Sequence, residues 1–210
     1  MGHPALKPRM TPEEYLEWEA AQLERHDFVD GAVVFLPDLE AEPEQDVRGR
    51  DERHVTASMN VAFTLRQHLA GTPCRTFMAD MKLRPAQQGN FFYPDVMVTC
   101  SPRDAEQSHV KSEPVLLVEV LSPATAAFDR GDKFAAYRSL ASLREVLLVD
   151  PDLRRCDLFR RQVVDGGEAW VLHPGEAGAG VELVSVGLAL SAAALWAEVP
   201  VLAAPRASGA

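Results

Sequence analysis

The segment Val115-Leu-Leu-Val-Glu-Val-Leu121 is a run of strand-forming apolar residues that contains a single acid, Glu119. A run of this kind is typical of a β-strand that is buried on both faces. An ionised carboxylate in such a strand costs several kcal/mol unless a cation or several hydrogen-bond donors compensate its charge. The sequence therefore predicts that Glu119 has a charged partner in the folded chain.

A second acid, Asp95, stands at the start of the strand-like segment Phe91 to Cys100. The spacing between Asp95 and Glu119 allows their strands to lie side by side with both carboxylates on one face. Two adjacent hard oxygen ligands suit Mg²⁺ or Mn²⁺ rather than a soft metal. Taken alone, Asp95 has a simpler explanation as a turn residue that caps the start of a strand.

Lys133 lies on the predicted helix Asp129 to Leu140, which directly follows the Glu119 strand. Its long side chain can reach back towards the sheet. Metal-assisted phosphodiester hydrolysis needs a cation that lowers the pKa of the attacking water and a positive group that stabilises the developing charge. The alternative is a buried ion pair between Glu119 and Lys133 without metal, in a structural or catalytically inactive protein.

Patterns outward from this segment predict an α/β fold with a mixed sheet. The central order is helix, three strands, helix, strand, with an N-terminal helix and hairpin before it and β additions after it. A capping box at Thr11 and Glu14 begins the first helix, and Asp30-Gly31 marks the first hairpin turn. The predicted segments are helix 12–25, hairpin 28–36, helix 52–69, antiparallel strands 74–83, 91–100 and 115–121, helix 129–140, strand 146–149, hairpin 153–164, strands 169–173 and 181–186, and helix 191–197.

The composition indicates one globular domain over residues 1–210, because 47% of the 210 residues are apolar and 25% are charged. Residues 37–51 are acidic and lack apolar periodicity, which predicts a flexible loop, and residues 201–210 are expected to form a disordered tail. The 31 acidic and 21 basic residues give a net charge of −10, which excludes a polybasic nucleic-acid binder.

Three widely spaced cysteines, Cys74, Cys100 and Cys156, suggest neither a disulfide framework nor a thiolate zinc cluster. The N-terminal residues lack the apolar stretch of a secretory signal. The longest apolar candidate, Ala192 to Pro205, is too short to span a bilayer. We therefore expect a cytoplasmic protein without membrane contact.

Several long stretches resemble the Uma-two family of restriction-endonuclease-like proteins, within the PD-(D/E)XK nuclease superfamily. The resemblance extends to nearly the whole chain. The stretches that carry it are Pro94-Asp95, Glu119-Val-Leu-Ser-Pro-Ala-Thr125, Phe128-Asp-Arg-Gly-Asp-Lys-Phe-Ala-Ala-Tyr137 and Leu143-Arg-Glu-Val-Leu-Leu-Val-Asp-Pro151.

The resemblance implies a Mg²⁺- or Mn²⁺-dependent endonuclease that acts on DNA as a homodimer, with Asp95 and Glu119 as metal ligands. In the superfamily pattern the catalytic lysine stands two residues after the acid, a position that Leu121 occupies here. The resemblance implies that Lys133 replaces it from the next helix. The alternative is a catalytically inactive nuclease-fold module that binds a protein or nucleic-acid partner.

Further candidates surround these three residues. The resemblance implies that Asp80 and Glu52 would add a third carboxylate near the metal. Asp80 shares one strand face with Lys82, so either could point at the site; the alternative is a solvated sheet face. Glu52 and His54 open the long helix, where the helix dipole alone favours a glutamate and where His54 is a cap or a phosphate contact rather than a ligand. Tyr137 lies one helical turn after Lys133 and is expected to pack beside the site.

Arginines form a last group of candidates. Arg154-Arg155 and Arg160-Arg161 bracket the predicted hairpin 153–164. These arginines are expected either to contact phosphate or to form a solvated basic surface that offsets the negative charge of the chain.

Overall fold

The computed structural model of the chain describes residues 9–34, 52–85 and 89–201. The predicted loop at 37–51 lies outside the described residues, as does the predicted tail after residue 201.

A six-stranded mixed sheet organises the fold, in the order β10-β9-β8-β7-β5-β3. The pairs β3–β5 and β5–β7 are antiparallel, whereas β7–β8 is parallel, and β8–β9 and β9–β10 are antiparallel. The predicted meander of three strands followed by a helix and a fourth strand is therefore confirmed. These strands are β3 (Arg75–Met78), β5 (Val96–Thr99), β7 (Pro114–Val120), β8 (Glu145–Asp150), β9 (Arg155–Val164) and β10 (Gly167–Pro174).

Small elements complete the β structure. They are the hairpin β1 (Asp27–Val29) and β2 (Ala32–Val34), the parallel pair β4 (Lys82–Leu83) and β6 (Val110–Lys111), and the antiparallel pair β11 (Val181–Leu183) and β12 (Leu188–Leu190).

The helices lie on both faces of the sheet. Between α4 and α5 the chain forms a π-helical segment, Asp129–Lys133, so that α4, this segment and α5 make one continuous helix. None of the helices in the described ranges is both long enough and apolar enough to cross a membrane. The helices are α1 (Pro12–Ala20), α2 (Glu52–His68), α3 (Pro102–Glu106), α4 (Ala126–Phe128), α5 (Phe134–Tyr137) and α6 (Ala192–Leu195).

The central strand β7 is buried on both faces, as its sequence predicts. Because side chains alternate along a strand, Leu116 and Val118 pack with α2 in one core layer, whereas Leu117 packs in the other with Phe134 and Tyr137. Glu119 shares the face of Leu117. The acid therefore points at the helix that connects β7 to β8.

The N-terminal helix and hairpin form as predicted. Thr11 and Glu14 make the complete capping box, although α1 ends at Ala20 rather than near Arg25. Asp30 and Gly31 both have positive φ, 51° and 84°, the conformation that a two-residue hairpin turn requires.

The predicted strand 74–83 is wrong in one respect, because it consists of two strands joined by a turn. β3 ends at Met78, the turn at Ala79 has φ 41°, and β4 begins at Lys82. Asp80 lies in this turn. It therefore does not alternate with Lys82 along one strand face.

The predicted hairpin 153–164 is also wrong. β9 is one ten-residue strand, and its hairpin partner is β10. The turn lies at Asp165-Gly166, where both residues have positive φ, the conformation that a two-residue hairpin turn requires. Arg160 and Arg161 consequently lie within a strand instead of bracketing a hairpin.

A disulfide joins Cys74 to Cys100, contrary to the expectation from cysteine number and spacing. The pairing of Arg75 with Thr99 in β3 and β5 places the two cysteines opposite each other just beyond the strand ends. This proximity arises from strand register, which cysteine spacing does not reveal. Cys156 is a free, buried thiol, and burial raises its pKa to about 12.

Candidate metal and catalytic site

Asp95 and Glu119 come together at the end of the β5–β7 pair. Val96 pairs with Val118 in the antiparallel register, so Asp95, the next residue back, lies opposite Glu119. The backbone N–H of Val120 donates a hydrogen bond of 2.8 Å to Asp95 Oδ2. The structure thus brings together the two acids that the strand spacing predicts to share a face.

Lys133 reaches this acidic pair from the π-helical segment. Its Nζ lies 3.0 Å from Glu119 Oε2 and 3.4 Å from Asp129 Oδ1. The side chains of Lys133 and Glu119 are only 3% and 2% exposed. The lysine is therefore buried and paired with carboxylates, as its place after the Glu119 strand predicts.

Asp27 is a further acid of the site that the sequence patterns do not predict. Its Oδ2 lies 3.7 Å from Lys133 Nζ, and its Oδ1 accepts a hydrogen bond of 2.9 Å from the Tyr93 backbone N–H. Within the described residues, Oδ2 is buried without a hydrogen-bond donor. The available signal was an acid at the start of the apolar strand Asp27–Val29, which is the pattern that singled out Asp95.

Tyr137 fixes the remaining oxygen of Glu119. Its hydroxyl donates a hydrogen bond of 2.5 Å to Glu119 Oε1 and is fully buried. Lys133 and Tyr137 are one turn apart on the same helix face, so a single helix holds both oxygens of this carboxylate.

His54 approaches the site from α2. Its Nε2 lies 3.3 Å from Asp95 Oδ2. The side chains of Asp95 and His54 are 11% and 9% exposed, whereas that of Asp27 is 1% exposed. Asp95 and His54 are therefore the most solvent-accessible members of the cluster.

The charges in the cluster shift several pKa values. Burial favours a raised pKa for Asp95, but the hydrogen bond and charge of His54, together with Lys133, hold it below its usual value. Burial raises the pKa of Glu119 well above its usual value, with Asp129 and Asp95 adding to the effect. For Lys133, the surrounding carboxylates outweigh burial and raise its pKa, so its ammonium stays charged.

The donor chemistry of this cluster fits a hard divalent cation. Three buried carboxylates, those of Asp27, Glu119 and Asp129, lie within 3.7 Å of Lys133 Nζ, and the buried Asp95 lies opposite Glu119 on the neighbouring strand. Within the described residues, Asp27 Oδ2 accepts no hydrogen bond, and the carboxylate oxygens of the cluster outnumber its cations. A Mg²⁺ or Mn²⁺ ion would bind such oxygens and compensate their charge. Among the described residues, no group of three or more His, Cys, Asp or Glu side chains is arranged so that it could hold a metal ion.

Other predicted residues lie near the cluster without entering it. The Ala79 N–H donates to the Asp95 carbonyl, but the neighbouring Asp80 side chain is 80% exposed and its Oδ1 lies 3.6 Å from Arg25 Nε. Glu52 is exposed at the start of α2. The roles of Asp80 and Glu52 near a metal remain predictions.

Lys82 lies against aromatic rings rather than against the carboxylates. Its Nζ is 5.6 Å from the centre of the Tyr15 ring and 5.8 Å from those of Phe91 and Tyr93. Burial lowers its pKa. A role for Lys82 at the site remains a prediction.

The candidate arginines have partners within the chain. Arg160 Nε lies 2.7 Å from the buried Glu145 Oε1, and Arg155 pairs with Asp157. Arg161 donates to the Leu140 carbonyl, and Arg154 to the Val199 carbonyl. Of these contacts, the one between Arg154 and Val199 joins the C-terminal segment to the start of β9.

Comparisons with known proteins identify the family of the chain. The profile of the Uma2 family, described as "Putative restriction endonuclease", matches residues 12–193. The uncharacterized protein slr1290 of Synechocystis is 34% identical over 184 residues, which are 88% of this chain and 90% of that protein. A second uncharacterized Synechocystis protein, sll1609, is 29% identical over 165 residues, 78% of this chain and 85% of that protein.

A solved structure shares the fold. It is described as a "putative nuclease belonging to DUF820" from Anabaena variabilis, and it superimposes with a TM-score of 0.66 at 15% identity, covering 91% of this chain and 99% of that one. Since the profile covers nearly all described elements and slr1290 is similar over most of both chains, this chain belongs to the Uma2 family of restriction-endonuclease-like proteins.

Proposed function

We propose that this chain is a Mg²⁺- or Mn²⁺-dependent endonuclease that hydrolyses phosphodiester bonds in DNA. Asp95 and Glu119 would hold the metal, and Lys133 would act at the scissile phosphate. The observation that carries the proposal is the buried excess of carboxylates around one charged lysine, at the end of paired strands in a nuclease-like fold.

Each residue has a task that follows from its contacts. A bound dication would supply charge stabilisation to the phosphate and make a water more acidic. Lys133, held charged by its acidic neighbours, would stabilise negative charge that develops on the phosphate. Tyr137 orients Glu119, and His54 orients Asp95 on the solvent-accessible side.

The proposal extends to the partners. DNA is the expected substrate, and a homodimer would present two such sites, one for each strand of a duplex. We propose a cytoplasmic location for this activity.

Cleavage assays test the proposal directly. Supercoiled plasmid, single-stranded DNA and RNA are incubated with the wild type in Mg²⁺, in Mn²⁺ and in EDTA. We expect metal-dependent nicking of plasmid, and a loss of roughly 100-fold or more in Asp95→Asn and in Lys133→Met. The matched control is Asp165→Asn, at an exposed turn whose positive φ an asparagine tolerates. A wild type that is inactive on every substrate, or an Asp95→Asn variant with full activity, contradicts the proposal.

One observation favours the second candidate, a catalytically inactive nuclease-fold module. Both oxygens of Glu119 already have protein partners, Lys133 and Tyr137, and the side chain is 2% exposed. Calorimetric titration with Mn²⁺ separates the candidates. The nuclease predicts binding that Glu119→Gln weakens, whereas the inactive module predicts no binding by either protein.

A further inference from the structure

The outer face of α2 carries an apolar stripe that no described element covers. Val55, Met59 and Phe63 are 51%, 52% and 65% exposed, although all three are large apolar side chains. They recur every fourth residue, so they lie along one side of the helix. The opposite side, with Ala57, Val61 and Leu65, is buried against the sheet.

A charged residue stands at each end of this stripe. Glu52 lies three residues before Val55, and Arg66 lies three residues after Phe63; both are exposed. Neither forms an ion pair within the described part of the chain. At 3.6 residues per turn, the five residues fall within about 80° of the helix circumference. We call Glu52, Val55, Met59, Phe63 and Arg66 the α2 stripe.

The α2 stripe is symmetric about its central residue. Glu52 and Arg66 are each seven residues from Met59, and Val55 and Phe63 are each four residues from it. An antiparallel copy of the same helix, related by a two-fold axis through Met59, would therefore place Val55 against Phe63 of the partner subunit. The same operation places Glu52 against Arg66 of the partner subunit, so that opposite charges meet at both ends.

We propose that the α2 stripe is a homodimer interface, in which α2 packs antiparallel against α2 of a second copy of this chain. The spacing of three, four, four and three residues is that of a helix–helix seam, and the charge order is complementary only in the antiparallel direction. A parallel pair would place like charges together. A closed two-fold contact of this kind uses the same surface on both subunits.

The interface also has a defined position relative to the candidate site. His54, which contacts Asp95, precedes Val55 on α2. The dimer would thus place the two candidate sites on either side of one pair of helices. The proposal does not depend on nuclease activity, because it rests on the exposed stripe and its symmetry alone.

Sedimentation of the full chain over a range of concentrations tests the interface. We expect a monomer–dimer equilibrium in the wild type that Phe63→Glu abolishes, with Val163→Glu as the control, since Val163 is a similarly exposed apolar residue on β9. Glu52→Arg or Arg66→Glu alone turns two attractive contacts per dimer into two repulsive ones, which raises Kd roughly tenfold at low salt. The double variant Glu52→Arg/Arg66→Glu is expected to restore dimerisation.

Cross-linking tests the position of the axis. Met59→Cys meets its own copy at the axis and is expected to form a disulfide-linked dimer under mild oxidation. Val55→Cys is equally exposed, but the two copies would be about 12 Å apart along the helices, beyond the reach of a disulfide. A wild type that is monomeric at every concentration, a dimer unaffected by Phe63→Glu, or a failure of the double charge swap to restore association would each overturn the proposal. Equal cross-linking of both cysteine variants would also overturn it.

Discussion

Lys133 is the residue on which the buried cluster depends. Its ammonium is the cation that the structure places among the carboxylates of Asp27, Glu119 and Asp129. Removing one partner of a buried ion pair leaves uncompensated charge, which is far more costly than the net contribution of an intact pair. The cluster is therefore sensitive to this one side chain, whether or not the protein is an enzyme.

We expect Lys133→Met to lower the free energy of unfolding by about 3–5 kcal/mol in metal-free buffer. Mn²⁺ should then raise the Tm of the variant by more than it raises that of the wild type, because a dication takes the place of the lost ammonium and binds only the folded state. Thermal unfolding in EDTA and in increasing Mn²⁺ measures both effects.

The control for this comparison is Lys111→Met. Lys111 is also buried, but its ammonium donates to the backbone carbonyls of Asp104 and Gln107. This variant should be destabilised without any additional response to Mn²⁺. The prediction is contradicted if the Lys133→Met protein is as stable as the wild type, or if Mn²⁺ does not raise its Tm. Either result would show that the carboxylates need no cation.

Residue chemistry alone predicted part of this cluster. Glu119 was identifiable because an acid inside an apolar strand requires a partner, and Lys133 because the next helix must cover that strand. Asp27 was not identified because its burial depends on a long-range contact. The bridge between Phe28 and Phe91 brings the hairpin against Tyr93, whose N–H then bonds Asp27.

At the scale of elements, the cross-strand disulfide is the feature that local patterns did not reveal. The strands β5 and β7 were recognisable from their own residues, but the pairing of Cys74 with Cys100 requires the register of β3 against β5. The π-helical segment is similar. Its residues have an ordinary helical pattern, and only the structure shows the widened turn that carries Asp129 and Lys133.

The disulfide is expected to stabilise the edge strand β3. It closes a loop with a sequence separation of 26, for which loss of chain entropy in the unfolded state gives about 3 kcal/mol. The double variant Cys74→Ser/Cys100→Ser should be less stable than the oxidised wild type by this amount in urea unfolding. Its stability should match that of the wild type unfolded with reductant present.

Thiol counting provides the control for this prediction. The wild type denatured without reductant should titrate one thiol, that of Cys156, and three after reduction. Three thiols before reduction, or equal stability with and without reductant, would contradict the prediction.

At the scale of the molecule, the order and direction of the strands were easier to predict than the residues at which the strands begin and end. Short connections fixed the antiparallel meander, and the helix after β7 fixed the parallel partner β8. The C-terminal hairpin was misplaced by one turn, because the turn at residues 151–154, with positive φ at Arg154, joins β8 to β9, whereas the turn between β9 and β10 lies at Asp165-Gly166. Strand periodicity alone does not decide which polar stretch turns the chain.

The charge of the whole chain leads to a prediction about DNA binding. With a net charge of −10 and a carboxylate-rich site, the protein repels a polyanion unless a dication compensates the acids. We expect weak binding of a DNA duplex in EDTA and stronger binding in Ca²⁺, as measured by fluorescence anisotropy. Asp95→Asn should strengthen binding in EDTA roughly tenfold, because it removes one negative charge at the site, and should reduce the response to Ca²⁺.

The matched control, Asp165→Asn, changes the net charge by the same amount at an exposed turn far along the chain from the acidic pair. If net charge alone governed affinity, both variants would bind DNA equally well in EDTA and both would keep the full Ca²⁺ response. If the site governs it, only Asp95→Asn gains affinity and loses that response. Tight binding of DNA by the wild type in EDTA would contradict both explanations, because it would require a basic surface that compensates the acids without a cation.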